Sequence, residues 1–145
     1  MWKIKQINEL SGLEFYGMLQ LRINTFVVEQ KRIYKELDEN DLTATHIFYQ
    51  SEESNQVLAY ARVFKQDNHI TFGRVVTSSD VRGTGLGSKL ITQILDFCDK
   101  TWPGKEIKIE SQQQVIGFYK KFGFVELSEP FILEGTPHVE MSLKK

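Results

Sequence analysis

A glycine-rich turn between an apolar and an amphipathic stretch constrains this chain more than any other feature. The β-branched residues 75–77 lead into Arg82-Gly83-Thr84-Gly85-Leu86-Gly87, in which three glycines stand in five positions. Glycine has no Cβ, so main-chain N–H groups at such a turn can approach a ligand closely. The helix that follows adds unpaired N–H donors and the positive end of its dipole. The sequence therefore predicts a strand–turn–helix unit that binds a phosphate group.

Two common phosphate-binding patterns fit this turn poorly. A P-loop carries a lysine directly after its last glycine, whereas Ser88 separates Gly87 from Lys89 here. A dinucleotide loop of the form G-x-G-x-x-G matches Gly83 and Gly85, but Ser88 occupies its third place. A nucleotide-phosphate enzyme therefore remains an alternative that rests on the glycines alone.

The size and charge of the chain limit its partners. Its 145 residues, with a formal net charge of −1, are enough for one domain over residues 1–145 with its own core. A charge this close to zero attracts neither nucleic acid nor an anionic membrane surface. No apolar run approaches the roughly 20 residues of a membrane span. Together with the single cysteine, Cys98, these features predict a cytoplasmic protein without a disulfide.

The spacing of apolar residues predicts the order β-α-irregular-β-β-β-α-β-α-β-β. The predicted strands begin with Trp2 to Ile4 and continue at 46–50, 57–65, 70–77, 105–111, 124–127 and 138–143. The strands at 46–50, 57–65 and 70–77 are expected to form an antiparallel meander. The strand at 70–77, a helix from Gly87 to about Lys100 and the strand at 105–111 form a parallel, right-handed βαβ unit. A short helix is predicted over Gln113 to Phe122.

The N-terminal half combines a strong helix start with an acidic stretch. Ser11 and Glu14 form a capping box. The helix after it is expected to bury residues at helical spacing: Leu13, Tyr16, Leu19, Ile23 and Phe26. The polar stretch from Glu29 to Thr45 is predicted to be a loop or an irregular helix. Its acidic residues indicate a solvated loop more than a surface that attracts a cationic amine: Glu36, Asp38, Glu39 and Asp41. His46 and Cys98 are predicted to be core residues.

A third pattern, Arg-x-x-Gly-x-Gly/Ala, is matched by Arg82, Gly85 and Gly87. With the later Phe118-Tyr119-Lys120-Lys121-Phe122-Gly123-Phe124, it resembles the GNAT superfamily of acyl-CoA-dependent N-acetyltransferases. Further stretches are similar to the ElaA-like subgroup of that family: Phe26 to Gln30, the scattered Tyr34, Glu36, Asp38, Asp41 and His46, Gly73 to Val76, and Glu134 to Met141.

The resemblance implies a fold and an activity. The fold would be α/β, with a mixed, twisted, mostly antiparallel sheet and helices on both faces. The activity would move an acetyl group from acetyl-CoA to a primary amine by direct attack in a ternary complex. A non-catalytic acyl-CoA-binding or interaction module is the alternative. The oligomer would be a monomer or a homodimer, and the acceptor stays open among peptide amines, polyamines, amino sugars and small metabolites.

The resemblance also implies where coenzyme A would bind. The pyrophosphate would meet the glycine turn, and the pantetheine arm would pair like an extra strand along the main chain of residues 75–77, where that strand and the strand of Ile109 splay apart. The implied cofactor-binding residues are Val75, Val76, Thr77, Arg82, Gly83, Thr84, Gly85, Gly87, Ser88, Phe118 and Tyr119.

Tyr119 is the implied general acid, which would protonate the departing thiolate. A thiol has a reference pKa of about 8.5 and a tyrosine about 10, so this transfer is feasible although not downhill. The attacking amine must lose a proton, and Glu29, Glu110 and His138 are the candidate bases. The role of Arg74 stays open. No cysteine pair or histidine cluster has metal-ligand spacing, so no metal is predicted.

Overall fold

The computed structural model describes residues 1–145, and its strands join into one eight-stranded sheet. The strands are β1 (Trp2–Gln6), β2 (Thr45–Gln50), β3 (Val57–Gln66), β4 (His69–Thr77), β5 (Ile107–Gln112), β6 (Val125–Glu126), β7 (Phe131–Leu133) and β8 (Thr136–Leu143). Their order is β1-β2-β3-β4-β5-β8-β6, with β7 paired to β8. Every pairing is antiparallel except that of β4 with β5, which confirms the meander and the parallel unit.

Four α-helices accompany the sheet: α1 (Gly12–Arg22), α2 (Asn40–Thr43), α3 (Leu86–Thr101) and α4 (Ile116–Lys120). A π-helix over Ile23–Glu29 continues α1 without a break. The helix predicted over 113–122 is a 3-10 turn at Gln113–Val115 followed by the short α4. None of the helices has the length and apolar character that crossing a membrane requires.

Strand β7 is the element that the sequence pattern did not predict. It forms a hairpin with β8 through Glu134 and Gly135, whose φ angles are 50° and 77°. Two successive residues with positive φ are typical of the tight turns that join hairpin strands. Glutamate is an unusual residue at the first of these positions, so the turn carries a weak sequence signal.

Helices cover both faces of the sheet, as the fold class requires. The first core lies between α3 and the sheet, and α3 contributes the buried side chains Leu90, Ile91, Ile94 and Cys98. The second core lies between α1 and the opposite face, where Met18, Leu21 and Phe26 pack against Phe48, Val57, Tyr60 and Val76. Adjacent strand residues point to opposite faces, so β2, β3 and β4 contribute to both cores.

The buried face of α1 differs from the predicted one. Leu13 is 68% exposed and Tyr16 is 63% exposed, whereas Glu14 and Arg22 are buried beside Met18. The prediction was right for Phe26 but wrong for Leu13, Tyr16 and Ile23, because it placed only apolar residues in the core. Here both charged side chains meet oppositely charged partners, which makes their burial possible.

Glu14 joins the start of α1 to β1. Its carboxylate accepts bonds from Lys3 at 2.6 Å, from Lys5 at 2.9 Å and from the main-chain N–H of Ser11 at 2.9 Å. The last bond belongs to the predicted capping box, which is present. Burial alone would raise the pKa of Glu14, but the bonds from Lys3, Ser11 and Lys5 outweigh it and lower the pKa from 4.5 to about 2.

This lowered pKa makes the stability contribution of Glu14 depend on pH. A carboxyl whose pKa is depressed by folding stabilises the protein above its unfolded pKa, and that contribution disappears as the pH falls through the folded pKa. We expect Glu14→Gln to lower the free energy of unfolding at pH 7, with the difference from wild type shrinking between about pH 5 and pH 2. Urea unfolding across this range measures it, and the exposed Glu53→Gln is the matched control. A pH-independent difference would contradict the assignment.

A buried ionic cluster connects α1 to the acidic stretch, contrary to the prediction of a solvated loop. Arg22 is fully buried, and its Nε lies 2.6 Å from a Glu36 carboxylate oxygen. Its two terminal nitrogens contact both carboxylate oxygens of Asp41 at 2.8 Å and 3.1 Å. Burial alone would lower the pKa of Arg22, but the bonds to Asp41 outweigh it and raise the pKa. Glu36 and Asp41 are thus structural anchors for the segment before β2.

His46 completes this cluster as a neutral group. Its Nε2 lies 3.0 Å from the carbonyl oxygen of Asp41, and its Nδ1 lies 2.6 Å from the hydroxyl of Tyr60. A carbonyl oxygen only accepts, so Nε2 carries the proton and Nδ1 accepts from Tyr60. Burial lowers the pKa of His46, in agreement with a neutral ring. The prediction of a satisfied core histidine is confirmed.

Candidate active site

A cleft opens in the sheet where β4 and β5 separate. The two strands share one registered pair, Ile70 with Ile107, and diverge toward their carboxyl ends. The expected gap beside β4 is therefore present. A cavity of about 860 Å³ begins here and extends to the π-helix and the acidic segment. Its wall includes Val75, Val76 and Thr77 on one side and Glu110 to Gln112 on the other.

A bulge shapes the β4 side of the cleft. Tyr60 is opposite Val76, and Arg62 is opposite Gly73, so Arg74 and Val75 together face one residue of β3. Arg74 has a φ of 53°, which is uncommon for a residue with a side chain. A bulge bends its strand and re-aims the residues beyond it. This bulge was not predicted, although a glycine inside a strand, here Gly73, is its usual signal.

The main chain after the bulge turns polar groups toward the cleft, and one of them, the Thr77 carbonyl, accepts a bond from Arg82. Ser78 donates its N–H to the carbonyl of Leu58 on β3 at 2.8 Å. In an antiparallel ladder, the main-chain N–H and C=O groups of successive residues point alternately to the two edges of the strand. The main-chain groups of Val76 therefore point to β3, as those of Ser78 do, whereas those of Val75 and Thr77 point toward the cleft. The side chain of Val76 packs in the core under α1. Two of the three predicted strand residues thus offer main-chain groups to a ligand.

The glycine turn presents unbonded amides at one end of this cleft. Gly83 and Gly85 have φ angles of 84° and 85°, which residues with a Cβ rarely adopt. Helix α3 begins at Leu86, and its first main-chain bond to the preceding turn is from Lys89 to the Gly85 carbonyl, at 3.2 Å. The N–H groups of residues 86–88 therefore lack partners in the protein, as expected at a helix start.

Thr77 and Phe118 come close to this turn. A Cβ built on Gly87 would lie 3.8 Å from the Thr77 methyl carbon and 3.9 Å from the ring of Phe118. The strand end, the turn and α4 therefore meet at Gly87. A ligand that runs along β4 would therefore come close to the unbonded amides of the turn.

The left-handed conformation at Gly85 yields a testable prediction. A nonglycine residue in this conformation costs about 1–2 kcal/mol, so Gly85→Ala should shift the turn away from its amide-presenting form. We expect coenzyme A affinity, measured by calorimetry, to fall about tenfold. Gly104→Ala is the matched control, because Gly104 has a φ of 78° and open space around it but lies between α3 and β5. Equal losses in both variants would contradict a role for this turn in binding.

Arg82 and Glu29 form an exposed ion pair across the mouth of the cleft. The two terminal nitrogens of Arg82 lie 2.7 Å and 3.2 Å from the two carboxylate oxygens of Glu29. The guanidinium also lies 3.4 Å from the carbonyl oxygen of Thr77. The bond from Arg82 lowers the pKa of Glu29. A lowered pKa makes a carboxylate a weaker proton acceptor, so the geometry favours Glu29 as the residue that orients Arg82.

Tyr119 lies at the base of the cavity. Its ring packs among Phe72, Phe118 and Phe124, with centroid separations of 5.3–6.1 Å. No protein group accepts a hydrogen bond from its hydroxyl, and the residue lines the cavity. Burial raises the pKa of Tyr119, so the hydroxyl keeps its proton at neutral and moderately alkaline pH. A proton donor is therefore available here.

His138 and Glu110 also line this cavity. The Nδ1 of His138 lies 2.7 Å from the carbonyl oxygen of Thr136, so Nδ1 donates and Nε2 is the accepting atom of the neutral ring. His138 on β8 is paired with Gln112 on β5, and Glu110, which also lies on β5, is exposed. Both side chains could accept a proton from a molecule bound in the cavity.

Arginines from the sheet neutralise the acidic segment. Arg62 holds Asp38 through two bonds of 2.7 Å and 2.9 Å, and Arg74 lies 3.0 Å from Glu36. Arg74 also stacks 5.2 Å from the ring of Tyr34. These contacts give Arg74 a structural role, and they leave Glu36 and Asp38 no free charge with which to attract a cationic amine.

The structure places the predicted site residues in two groups. Those on the cavity wall are Glu29, Val75, Val76, Thr77, Arg82, Tyr119 and His138. Those at the turn and helix beside it are Gly83, Thr84, Gly85, Gly87, Ser88 and Phe118. Sequence reasoning did not identify the cavity-lining Gln30, Arg32, Arg62 and Gln112. The π-helix after α1 changes the direction of the side chains that follow, and the apolar spacing, which stays helical through Phe26, gives no signal of it.

The comparisons with known proteins agree with this geometry. The family model described as "Acetyltransferase (GNAT) domain" matches residues 14–145. Protein ElaA of Escherichia coli K12 is 34% identical over 144 residues, covering 97% of this chain and 94% of that protein. A UPF0039 protein of Schizosaccharomyces pombe is 37% identical over 142 residues, with the same coverage of 97% and 94%.

Solved structures give the same result. The crystal structure of Escherichia coli ElaA matches with a TM-score of 0.92 over 98% of each chain. An acyl-CoA N-acyltransferase from Pseudomonas aeruginosa matches with a TM-score of 0.91 at 33% identity, over 98% of this chain and 97% of that one. The chain therefore belongs to the GNAT family of acetyltransferases, whose members use acyl-CoA and an acceptor substrate, and it is similar to ElaA over nearly its whole length.

Proposed function

We propose that this protein transfers an acetyl group from acetyl-CoA to a primary amine by direct attack in a ternary complex. The observation that carries the proposal is the cleft between β4 and β5, with main-chain polar groups along one side and unbonded amides at its end. An amide-containing arm can pair with a strand edge, and a pyrophosphate can accept from amides at a helix start. Acetyl-CoA carries both features in one molecule.

The reaction would take place beside Tyr119. The neutral amine attacks the thioester carbonyl carbon, a C–N bond forms, and the carbonyl becomes a tetrahedral oxyanion. Collapse of this intermediate breaks the C–S bond and releases the coenzyme A thiolate. Tyr119 donates its proton to the departing sulfur. Its desolvated ring environment strengthens a hydrogen bond to this developing charge, because few water molecules compete for it.

His138 is the proposed acceptor of the amine proton. Its fixed Nδ1–H bond orients the ring and leaves Nε2 free on the cavity side. Glu29 instead positions Arg82, which would stabilise the pyrophosphate by its charge. Arg82 offers five N–H donors, so a bond to Glu29 leaves others for a phosphate oxygen.

Thiol release tests the proposed activity. Acetyl-CoA is incubated with a panel of primary amines, and free thiol is measured against time, with propionyl-CoA and butyryl-CoA testing the acyl preference. Thermal shifts with acetyl-CoA, ATP and NAD test the ligand class, because a ligand that binds only the folded state raises its melting temperature. Stabilisation by ATP or NAD alone would contradict the proposal. Tight acetyl-CoA binding without turnover over the whole panel would instead support a non-catalytic binding module.

His138→Gln tests the proton acceptor. Glutamine keeps polarity but cannot accept a proton from an amine, so we expect kcat/KM to fall about 100-fold or more at pH 7. Coenzyme A affinity should stay unchanged. His69→Gln is the matched control, since His69 begins β4 outside the cavity wall. If kcat/KM of His138→Gln changes less than twofold, another group accepts the proton.

A further inference from the structure

One arginine of the cavity wall has no carboxylate partner. The chain has five arginines, and four of them pair with acidic side chains: Arg22, Arg62, Arg74 and Arg82. The fifth, Arg32, forms no ion pair, and its Nε is buried without a hydrogen-bond acceptor. A buried N–H without an acceptor is costly, and an acceptor oxygen from a ligand relieves that cost.

Arg32 is nevertheless held in place. Its guanidinium lies 4.5 Å from the ring centroid of Tyr34, and Arg74 lies over the same ring. The hydroxyl of Tyr34 donates to Glu36, which Arg22 also binds. Arg32 therefore rests on a side chain that the buried ionic cluster fixes. A cation held by an aromatic ring, with its hydrogen-bonding edge unused, is organised for a ligand before the ligand arrives.

The charges around Arg32 favour an anionic group. Lys35 also lines the cavity and forms no ion pair. The Nε of Arg62 is a second buried donor without an acceptor on the same wall, and Arg62 is only 5% exposed. Glu36 and Asp38, the carboxylates closest to Arg32 in the chain, are already bound by arginines, so no ion pair neutralises Arg32 or Lys35. The carboxylates of the cavity wall that form no ion pair are Glu110 and Glu134.

We propose that the acceptor is an amine that also bears a carboxylate, and that Arg32 binds this carboxylate. A guanidinium matches a carboxylate through two parallel N–H···O bonds, which gives both affinity and orientation. With the carboxylate held at Arg32, the amine end of the acceptor lies in the cavity that Tyr119 and His138 also line. The identity of this molecule as an acceptor rests on the proposed transferase function, whereas its binding at Arg32 does not.

Matched acceptors test the proposal. Glycine, β-alanine, 4-aminobutyrate and 6-aminohexanoate place the two groups at different separations, and each is compared with its carboxamide, which keeps the shape but removes the charge. We expect kcat/KM to be at least tenfold higher for the best carboxylate than for its carboxamide. In Arg32→Gln that preference should vanish, while the carboxamide rate and coenzyme A affinity stay within twofold of wild type. Arg32→Lys, which keeps the charge but loses the two-pronged geometry, should be intermediate.

Lys31→Gln is the matched control for Arg32→Gln. It removes one positive charge at the neighbouring residue, which is exposed and lies outside the cavity wall. It should keep the preference for carboxylates. Equal losses in the two variants would mean that overall charge, and not the Arg32 contact, sets the preference, and would overturn the proposal.

A binding measurement separates this inference from the transferase proposal. Calorimetry with 6-acetamidohexanoate and its carboxamide, in the presence of saturating coenzyme A, needs no turnover. Tighter binding of the carboxylate that is lost in Arg32→Gln supports the site even if no amine is acetylated. If carboxylates are bound and acetylated no better than their carboxamides, the inference about Arg32 is overturned and the proposed transferase function stands. Absence of both turnover and binding overturns both.

Discussion

Tyr119→Phe is expected to reduce the turnover number about 100-fold while coenzyme A affinity stays within twofold of wild type. The substitution removes the hydroxyl that would protonate the departing thiolate and keeps the ring in its aromatic surroundings. Because burial raises the pKa of Tyr119, the hydroxyl stays protonated as the solution becomes alkaline. The loss should therefore be similar at every pH between about 7 and 9.5.

The hydroxyl of Tyr119 bonds to no protein group, so this variant should keep its stability. Loss of turnover without loss of melting temperature would therefore report on the chemistry. Tyr16→Phe is the matched control, because Tyr16 is exposed on α1. Steady-state kinetics of thiol release across the pH range measures both variants. A change of less than twofold in Tyr119→Phe at every pH would remove Tyr119 from the mechanism.

The second large effect is one of stability. We expect Arg22→Met to lower the free energy of unfolding by about 3–5 kcal/mol, because removing one partner of a buried ion pair leaves the other charge uncompensated. Methionine fills much of the space of the arginine stem, so the loss would come mainly from the carboxylates of Glu36 and Asp41. Urea unfolding followed by circular dichroism measures it.

Two further variants make this prediction specific. Lys100→Met removes a cation from the exposed pair with Asp96 and should cost less than about 1 kcal/mol. Adding Asp41→Asn to Arg22→Met should recover part of the lost stability, since the amide is neutral and still hydrogen-bonds. If Arg22→Met is no worse than Lys100→Met, the cluster does not hold the segment before β2.

The fold was predictable where one local pattern decides the structure. Local patterns predicted the strands of the meander after His46 and the apolar face of α3, and both are confirmed. The buried side of α1 was not predictable by the same rule. Charged residues such as Glu14 and Arg22 are usually exposed to solvent. Their burial is explained only by their tertiary contacts with β1 and the acidic segment.

The candidate site likewise has a part that could be predicted from the sequence and a part that could not. The proposed coenzyme side is encoded by neighbouring residues, since Gly83, Gly85 and the start of α3 lie within a few positions of one another. The proposed acceptor side brings together residues that are far apart in the chain, such as Arg32, Arg62 and His138. No spacing rule joins such positions, because their proximity depends on strand register and on the divergence of β4 from β5.

The number of residues in the π-helix at the end of α1 determines which side chains line the proposed acceptor side of the cavity. Each residue of an α-helix advances the side chains by about 100°, so deleting one residue within 23–29 would restore the tighter winding and swing the following side chains by about a quarter turn. Phe26 and Glu29 would leave the cavity wall, while the sheet behind them would stay as it is. We therefore expect a one-residue deletion in this segment to change the lining of the cavity as well as the winding of the helix.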